Sequence, residues 1–246
     1  MDSLFALLIT TDSYSTANAH IITLGDPDTP PTVTAINSMA FPRAFHNSII
    51  LPDGKVFITG GQYYAVGFTD QTPQLIPELW DPATQAFTQM APISIPRNYH
   101  STGLLLPDAT VYNGGGGLCG DGCATNHPDA QIWTPPYLYN GDGSRAARPV
   151  IDSVSSAEVA VGGSLTITTS GPAVTGFAII RLTSTTHTVN TDQRRIALTP
   201  DNTDDNSYTV TVPADPGVAL LGYWYLFALT EGGTPSVAKY VKITGA

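Results

Sequence analysis

The chain carries one motif twice, and this internal repeat restricts its fold more than any other feature of the sequence. The first copy begins as Pro42-Arg-Ala-Phe-His46 and continues as Leu51-Pro-Asp-Gly-Lys-Val-Phe-Ile-Thr-Gly-Gly61. The second begins as Pro96-Arg-Asn-Tyr-His100 and continues as Leu106-Pro-Asp-Ala-Thr-Val-Tyr-Asn-Gly-Gly-Gly-Gly117, with one extra residue between its two parts. A tryptophan follows in each copy. A period near ~50 residues that contains a Gly-Gly doublet and a later aromatic residue is typical of kelch repeats, which form the blades of β-propellers.

Each copy also has the residues that a small antiparallel sheet needs. Pro52-Asp-Gly54 suits a hairpin turn, and Val56-Phe-Ile58 suits a buried strand. The doublet Gly60-Gly61 allows two backbones to approach closely. Residues 1–147 hold about two to three such blades, whereas a closed propeller needs at least about four. We therefore predict an incomplete kelch propeller over residues 1–147.

A different pattern begins after a polar stretch that ends in Arg148-Pro149, where we place a domain boundary. From there on, short apolar runs recur about every ten residues. The predicted strands are Ser164–Thr169, Gly176–Leu182, Ser207–Val212, Tyr223–Leu229 and Ala238–Ile243. Roughly a hundred residues of this kind are typical of an immunoglobulin-like β-sandwich. The predicted fold class is therefore all-β: a partial kelch-type β-propeller, followed over residues 148–246 by an immunoglobulin-like sandwich.

Charge and hydropathy exclude two kinds of partner. The formal net charge is −10 and the ten Lys and Arg residues do not cluster, so there is no basic patch for nucleic acid. No apolar run approaches the ~20 residues of a membrane span. The run Leu4–Ile9 is short and follows an acidic residue, so we interpret it as a strand rather than as part of a signal peptide.

Two of the five histidines occupy the same repeat position but differ in their neighbours. His46 follows Phe45, and we interpret it as a structural residue. His100 follows Tyr99, and another histidine, His187, lies in a polar run between two apolar strands. Two imidazoles and a phenolate suit copper(II), which prefers nitrogen and oxygen ligands in a tetragonal arrangement. On composition alone, a solvated loop histidine is the default interpretation of His187.

Binding of one metal by both Tyr99 and His100 requires an irregular backbone. Adjacent residues of a regular strand point to opposite faces, so these two side chains can converge only at a strand end or a bend. Pro96 and the extra residue after His100 favour such an irregularity.

Both cysteines, Cys119 and Cys123, lie in one Gly-rich loop. Their spacing allows a small disulfide ring, which would indicate an oxidising compartment, and free thiols are the alternative. Two cysteines without a histidine-rich neighbourhood make a poor zinc site.

Several long motifs closely resemble the galactose oxidase family of copper radical oxidases, from about Asn18 to the C-terminus. They are Pro96-Arg-Asn-Tyr-His-Ser101, Asn113-Gly-Gly-Gly-Gly-Leu-Cys-Gly-Asp-Gly-Cys-Ala-Thr-Asn-His127, Ala130-Gln-Ile-Trp-Thr-Pro-Pro-Tyr-Leu-Tyr-Asn140 and His187-Thr-Val-Asn-Thr-Asp-Gln-Arg-Arg195. The resemblance implies an extracellular enzyme with a seven-bladed kelch propeller and an immunoglobulin-like domain. It also implies oxidation of a primary alcohol, such as a galactose-containing carbohydrate, to an aldehyde, with reduction of dioxygen to hydrogen peroxide.

The resemblance assigns roles to particular residues. Tyr99 matches the axial tyrosine, a copper ligand and the base that takes the alcohol proton. His100 and His187 match two further ligands of a single copper ion, the second carried on a loop of the C-terminal domain. Phe68 matches an aromatic residue of the substrate pocket. Cys119 and Cys123 match a disulfide pair, although their spacing is one residue wider than in the family.

The chain also departs from the family. The family's second redox centre is a tyrosine joined covalently to a cysteine, and that pair and the pocket arginine lie in blades upstream of this chain. We therefore expect a C-terminal fragment of a galactose oxidase-like enzyme, with three copper ligands but no Tyr-Cys radical, that is inactive alone and needs an N-terminal fragment. The alternative is a non-enzymatic kelch or carbohydrate-binding relic. Retention of all three ligands argues against that alternative.

Overall fold

The computed structural model describes residues 3–5, 14–26, 28–204 and 206–245. Within these ranges the chain forms β-strands and one short 3-10 helix, Pro136–Leu138, and no α-helix. The all-β prediction is therefore confirmed. Of the strand expected over Leu4–Ile9, the described part belongs to Ser3–Phe5, and the rest lies outside the described residues. None of the described helical structure is long and apolar enough to cross a membrane.

The described residues up to 133 form three antiparallel sheets that follow one another along the chain. The first contains β1 (Ser3–Phe5), β2 (Ala19–Thr23) and β3 (Thr32–Ile36). The second contains β4 (Ala44–Ile50), β5 (Val56–Gln62), β6 (Glu78–Asp81) and β7 (Ala86–Gln89). The third contains β8 (Ser101–Leu105), β9 (Val111–Gly115) and β10 (Ala130–Trp133). The two copies of the repeat thus produce the second and third sheets, and none of the described sheets closes on itself.

Each repeat uses its arginine to hold the glycine-rich end of its second strand. Arg43 donates from Nη1 to the carbonyl oxygen of Gly60 (2.9 Å), and Arg97 donates in the same way to that of Gly115 (2.9 Å). Both side chains are buried. Gly60 lies so close to the next copy that a Cβ atom there would stand 2.1 Å from the carbonyl oxygen of Arg97. The close backbone approach expected of the Gly-Gly doublet is therefore present.

The rest of the chain forms two larger sheets and a hairpin. One sheet contains β11 (Val150–Val154), β13 (Ser164–Ser170), β19 (Ser207–Thr211) and β18 (Asp201–Asp204). The other contains β12 (Glu158–Ala160), β21 (Lys239–Thr244), β20 (Gly222–Leu229), β14 (Gly176–Arg181) and β17 (Arg195–Leu198). The hairpin contains β15 (Thr185–Thr186) and β16 (Val189–Asn190). The five strands predicted in this region are all present, with ends displaced by at most one residue.

Among the described residues, the two largest apolar cores connect these elements. One lies between the two larger sheets, around Trp224, Ile167 and Val210. The other joins Ile49, Leu51 and Phe57 of the repeat region to buried residues of β14 and β20. Because this second core is shared, the hairpin β15–β16 is carried on a part of the chain that is packed firmly against the second and third sheets.

Candidate metal centre

The backbone bends at His100, immediately before β8 begins. His100 has a φ of +67°, a left-handed conformation that few non-glycine residues adopt. The bend brings the rings of Tyr99 and His100 together, so that they stack with centroids 4.1 Å apart and planes 25° from parallel. The irregularity expected from the sequence is therefore present, and both side chains face the same side.

His187 lies at the tip of the hairpin β15–β16 and joins this pair. Its ring centroid is 5.0 Å from that of His100 and 6.0 Å from that of Tyr99. His187 and Thr188 both have positive φ angles, +51° and +65°, so the tip is a strained two-residue turn. Backbone strain of this kind costs roughly 1–3 kcal/mol per residue and is concentrated at functional sites. The structure thus brings together the three side chains that the sequence indicated as candidate copper ligands. His187 itself is exposed.

Phe68 completes an aromatic cluster at the centre. Its ring meets that of Tyr99 edge-on, with centroids 5.0 Å apart and an interplanar angle of 88°, and lies 5.4 Å from that of His100. Phe68 also has a positive φ, +59°, and it is 45% exposed. An exposed aromatic face beside the three polar rings suits contact with the apolar surface of a ligand.

Hydrogen bonds orient both imidazoles and leave one nitrogen of each available. The Nδ1 atom of His100 lies 2.8 Å from the carbonyl oxygen of Gly117, which only a protonated Nδ1 can satisfy. The Nδ1 atom of His187 lies 2.6 Å from the hydroxyl oxygen of Thr186. In metal sites, a ligating histidine is held by its second nitrogen in this way. Gly117 and Thr186 could not be identified as supports from the sequence, because neither role requires a particular motif.

The side chains that converge at this centre are suitable ligands for copper(II). The described part of the chain has no group of three His, Cys, Asp or Glu side chains that could hold a metal ion, so a metal at this centre would need the phenol of Tyr99. Two imidazole nitrogens and a phenolate oxygen are donors that copper(II) accepts in a tetragonal arrangement. Tyr99, His100 and His187 are therefore the residues that would hold such an ion.

The equivalent histidine of the first repeat has a different environment. His46 is buried within β4, and burial lowers its pKa from 6.5 to about 3, with a further contribution from the positive charge of Arg43. It therefore stays neutral inside the sheet. In this copy the positive φ angle, +56°, falls on Phe45, so the bend lies one residue earlier than in the second copy. The interpretation of His46 as structural agrees with this position.

The disulfide loop supports Phe68 from the side. Cys119 and Cys123 form a disulfide with Cα atoms 5.8 Å apart, as the resemblance implied. The hydroxyl group of Thr125 contacts both sulfur atoms and lies 3.2 Å from the carbonyl oxygen of Phe68. His127 contacts the carboxylate of Asp70 through Nε2, at 3.0 Å. The sequence did not predict these contacts, which join two loops 57 residues apart.

Comparison with known proteins identifies the class. The family model described as "Glyoxal oxidase N-terminus" matches residues 14–119, and the model described as "Galactose oxidase-like, Early set domain" matches residues 148–243. A galactose oxidase of Gibberella zeae is 55% identical over 95% of this chain, and an aldehyde oxidase of Vitis pseudoreticulata is 31% identical over 87% of it. A solved fungal alcohol oxidase of the AA5 family, in complex with copper, superimposes with a TM-score of 0.92 at 50% identity over 95% of this chain.

The fold is thus that of a galactose oxidase-like protein. The chain belongs to the galactose oxidase family. It spans 34% of the length of the Gibberella relative, 44% of the Vitis relative and 49% of the solved alcohol oxidase chain.

Proposed function

We propose that this chain is the copper-binding C-terminal part of a galactose oxidase-like copper radical oxidase. The observation that carries the proposal is the convergence of Tyr99, His100 and His187, with ring centroids within 6.0 Å of one another. The relatives support it, since they include a galactose oxidase and an alcohol oxidase in complex with copper. The whole enzyme would convert a primary alcohol and dioxygen into an aldehyde and hydrogen peroxide.

Each residue of the centre has a distinct role in the proposed reaction. When bound, copper(II) supplies Lewis acidity toward the alcohol oxygen and accepts one electron. Tyr99 takes the hydroxyl proton of the alcohol through its phenolic oxygen. His100 and His187 hold the metal through the nitrogens that their hydrogen bonds leave available, and Phe68 packs against the carbon skeleton of the substrate. A galactose-containing carbohydrate is the substrate class that best matches the relatives.

The domain assignment belongs to the same proposal. We assign residues 1–147 to an incomplete kelch propeller and residues 148–246 to an immunoglobulin-like domain. The two antiparallel repeat sheets and their shared arginine–glycine contacts support the first assignment. Two sheets packed around one core support the second, as does the family model that begins at residue 148.

Alone, the chain is expected to bind copper without completing the reaction. Oxidation of an alcohol removes two electrons, whereas a copper(II) ion accepts one. The chain has two cysteines, and both belong to the same disulfide, so it has none to form a Tyr-Cys cofactor. The second electron acceptor would come from a partner fragment that also supplies further blades. A disulfide in a small loop suits an extracellular protein.

Copper(II) titration of the metal-free protein tests this proposal. We expect binding at one site per chain, loss of binding in the triple variant Tyr99→Phe, His100→Ala, His187→Ala, and no hydrogen peroxide with galactose in a coupled assay. At a hundredfold excess over the dissociation constant, binding should stabilise the fold by about 2.7 kcal/mol. Peroxide production by the isolated chain would refute the inactivity. A melting temperature indifferent to copper would instead favour the non-enzymatic relic.

A further inference from the structure

The hairpin that carries His187 comes from a different part of the chain than Tyr99 and His100, so its position has to be fixed by specific contacts. Within the hairpin, the amide of Thr191 donates to the carbonyl of Ser184 (3.0 Å) and the side chain of Asn190 donates to Thr183 (2.9 Å). These bonds set the shape of the hairpin. They do not determine how far its tip reaches toward His100.

One side chain just after the hairpin contacts the repeat region directly. Gln193 accepts a hydrogen bond at Oε1 from the backbone nitrogen of Ile50 (2.6 Å) and donates one from Nε2 to the carbonyl oxygen of Ser48 (3.0 Å). Both groups belong to β4, which is an edge strand of its sheet. Residues two apart on a strand present their backbone groups to the same edge. The amide of Gln193 therefore takes the place that a peptide group of a neighbouring strand would occupy.

The residues on either side of Gln193 are held as well. Asp192 accepts a hydrogen bond from Nε of Arg181 on β14 (2.7 Å), and Nε of Arg195 donates to the carbonyl oxygen of Pro52 (2.9 Å). The hairpin base is thus attached to its own sheet through Asp192 and to β4 and the following turn through Gln193 and Arg195. Of these three side chains, Gln193 is the one that both donates a hydrogen bond to β4 and accepts one from it.

We propose that Gln193 is a positioning residue for the metal centre: its two bonds to the edge of β4 fix the distance between His187 and His100. This inference rests on the proposed function, in which both histidines hold copper. An amide fits this task because it donates and accepts in one plane, as a peptide group does. A carboxylate of the same size can accept from Ile50 but cannot donate to Ser48, and it places a negative charge against that carbonyl.

The test compares Gln193→Glu and Gln193→Ala with Gln89→Ala, an exposed glutamine of β7 that serves as the matched control. In the metal-free proteins, hydrogen exchange of the segment 183–192 should become faster in both Gln193 variants and stay unchanged in the control. Copper(II) affinity should fall roughly tenfold to a hundredfold, the usual effect of removing a residue that orients a ligand. The electron paramagnetic resonance spectrum of copper(II) should approach that of His187→Ala, because one nitrogen donor is displaced.

Two results would overturn the proposal. One is unchanged exchange of segment 183–192 in both Gln193 variants. The other is faster exchange spread uniformly over the chain, which would show a general contribution to stability and no specific effect on the hairpin. If the wild-type protein binds no copper(II), the proposed function fails, yet the exchange measurement still decides whether Gln193 fixes the hairpin.

Discussion

Positive φ angles occur at several residues in and beside the candidate centre, although not at Tyr99. Phe68, His100, His187 and Thr188 all have φ between +51° and +67°. None is a glycine, so each carries a steric penalty that the surrounding contacts have to offset. The hydrogen bonds of His100 to Gly117 and of His187 to Thr186 are among those contacts. At this scale, unfavourable backbone angles at these residues help to bring the side chains of the site together.

His46 makes stability depend on pH. Its pKa is about 3 in the folded protein, compared with 6.5 for an ordinary histidine, because burial disfavours the charged form. Between these pH values the unfolded chain holds a proton that the folded chain does not, so stability falls as pH decreases from 6.5 toward 3. The contribution is about 1.4 kcal/mol per pH unit. We expect urea midpoints measured between pH 7 and pH 4 to fall more steeply for the wild type than for His46→Gln. Parallel curves would contradict this.

Gly60 is needed for space as well as for its backbone angle. An added Cβ atom would stand 2.1 Å from the carbonyl oxygen of Arg97, two residues before Tyr99. Gly143 offers a matched control, since it also has a positive φ (+83°) but nothing within 4 Å of an added Cβ. We expect Gly143→Ala to cost about 1 kcal/mol of unfolding free energy and Gly60→Ala at least about 3 kcal/mol, both measured by urea denaturation. Equal losses would show that the close contact is relieved by a small shift.

At the scale of elements, the equivalent arginines of the two repeats, Arg43 and Arg97, form ion pairs that differ in burial. Arg43 forms an ion pair with Glu78 (2.7 Å), and both side chains are fully buried. Arg97 forms the matching pair with Asp129 (3.1 Å), whose side chain is 44% exposed. Glu78 also accepts hydrogen bonds from the backbone nitrogens of Ala40 and Phe41, so it ties the entry of the repeat to β6.

The stability of the protein should depend differently on the carboxylates of these two ion pairs. Glu78→Ala leaves the buried guanidinium of Arg43 without its counter-charge, and we expect a loss of about 3–5 kcal/mol in unfolding free energy. Asp129→Ala should cost much less, because water reaches that site and replaces the carboxylate. Denaturant unfolding of the two variants measures the difference. Similar losses would mean that the exposed pair is as important to the fold as the buried one.

The elements themselves were largely predictable, whereas the geometry of the centre was not. The repeat and the spacing of apolar runs predicted the strands because both depend on local sequence. Pro96 and the extra residue after His100 predicted an irregular backbone, but the repeat did not predict where the bend falls, which is at Phe45 in one copy and at His100 in the other. Gln193 contacts β4 across 143 residues of sequence. No local pattern encodes such a contact, which depends on how the two parts of the chain pack.

For the whole molecule, the shared apolar core determines whether the two parts of the chain unfold together. It combines eight buried residues from before residue 139 with five from after residue 177. Phe227 is the largest of the five and is fully buried. Phe177, by contrast, is buried within the core that lies entirely between the two larger sheets. An interface of this apolar kind favours cooperative unfolding, because neither part can leave without exposing it.

Phe227→Ala and Phe177→Ala should therefore have distinct effects in calorimetry. Each removes about 3–5 kcal/mol of packing and transfer free energy. Because Phe227 joins the two parts, its loss should split one thermal transition into two. Phe177→Ala should lower the temperature of a single transition without dividing it. One transition in both variants would show that the remaining core residues and the contacts of Gln193 and Arg195 with the repeat region suffice to couple the two parts.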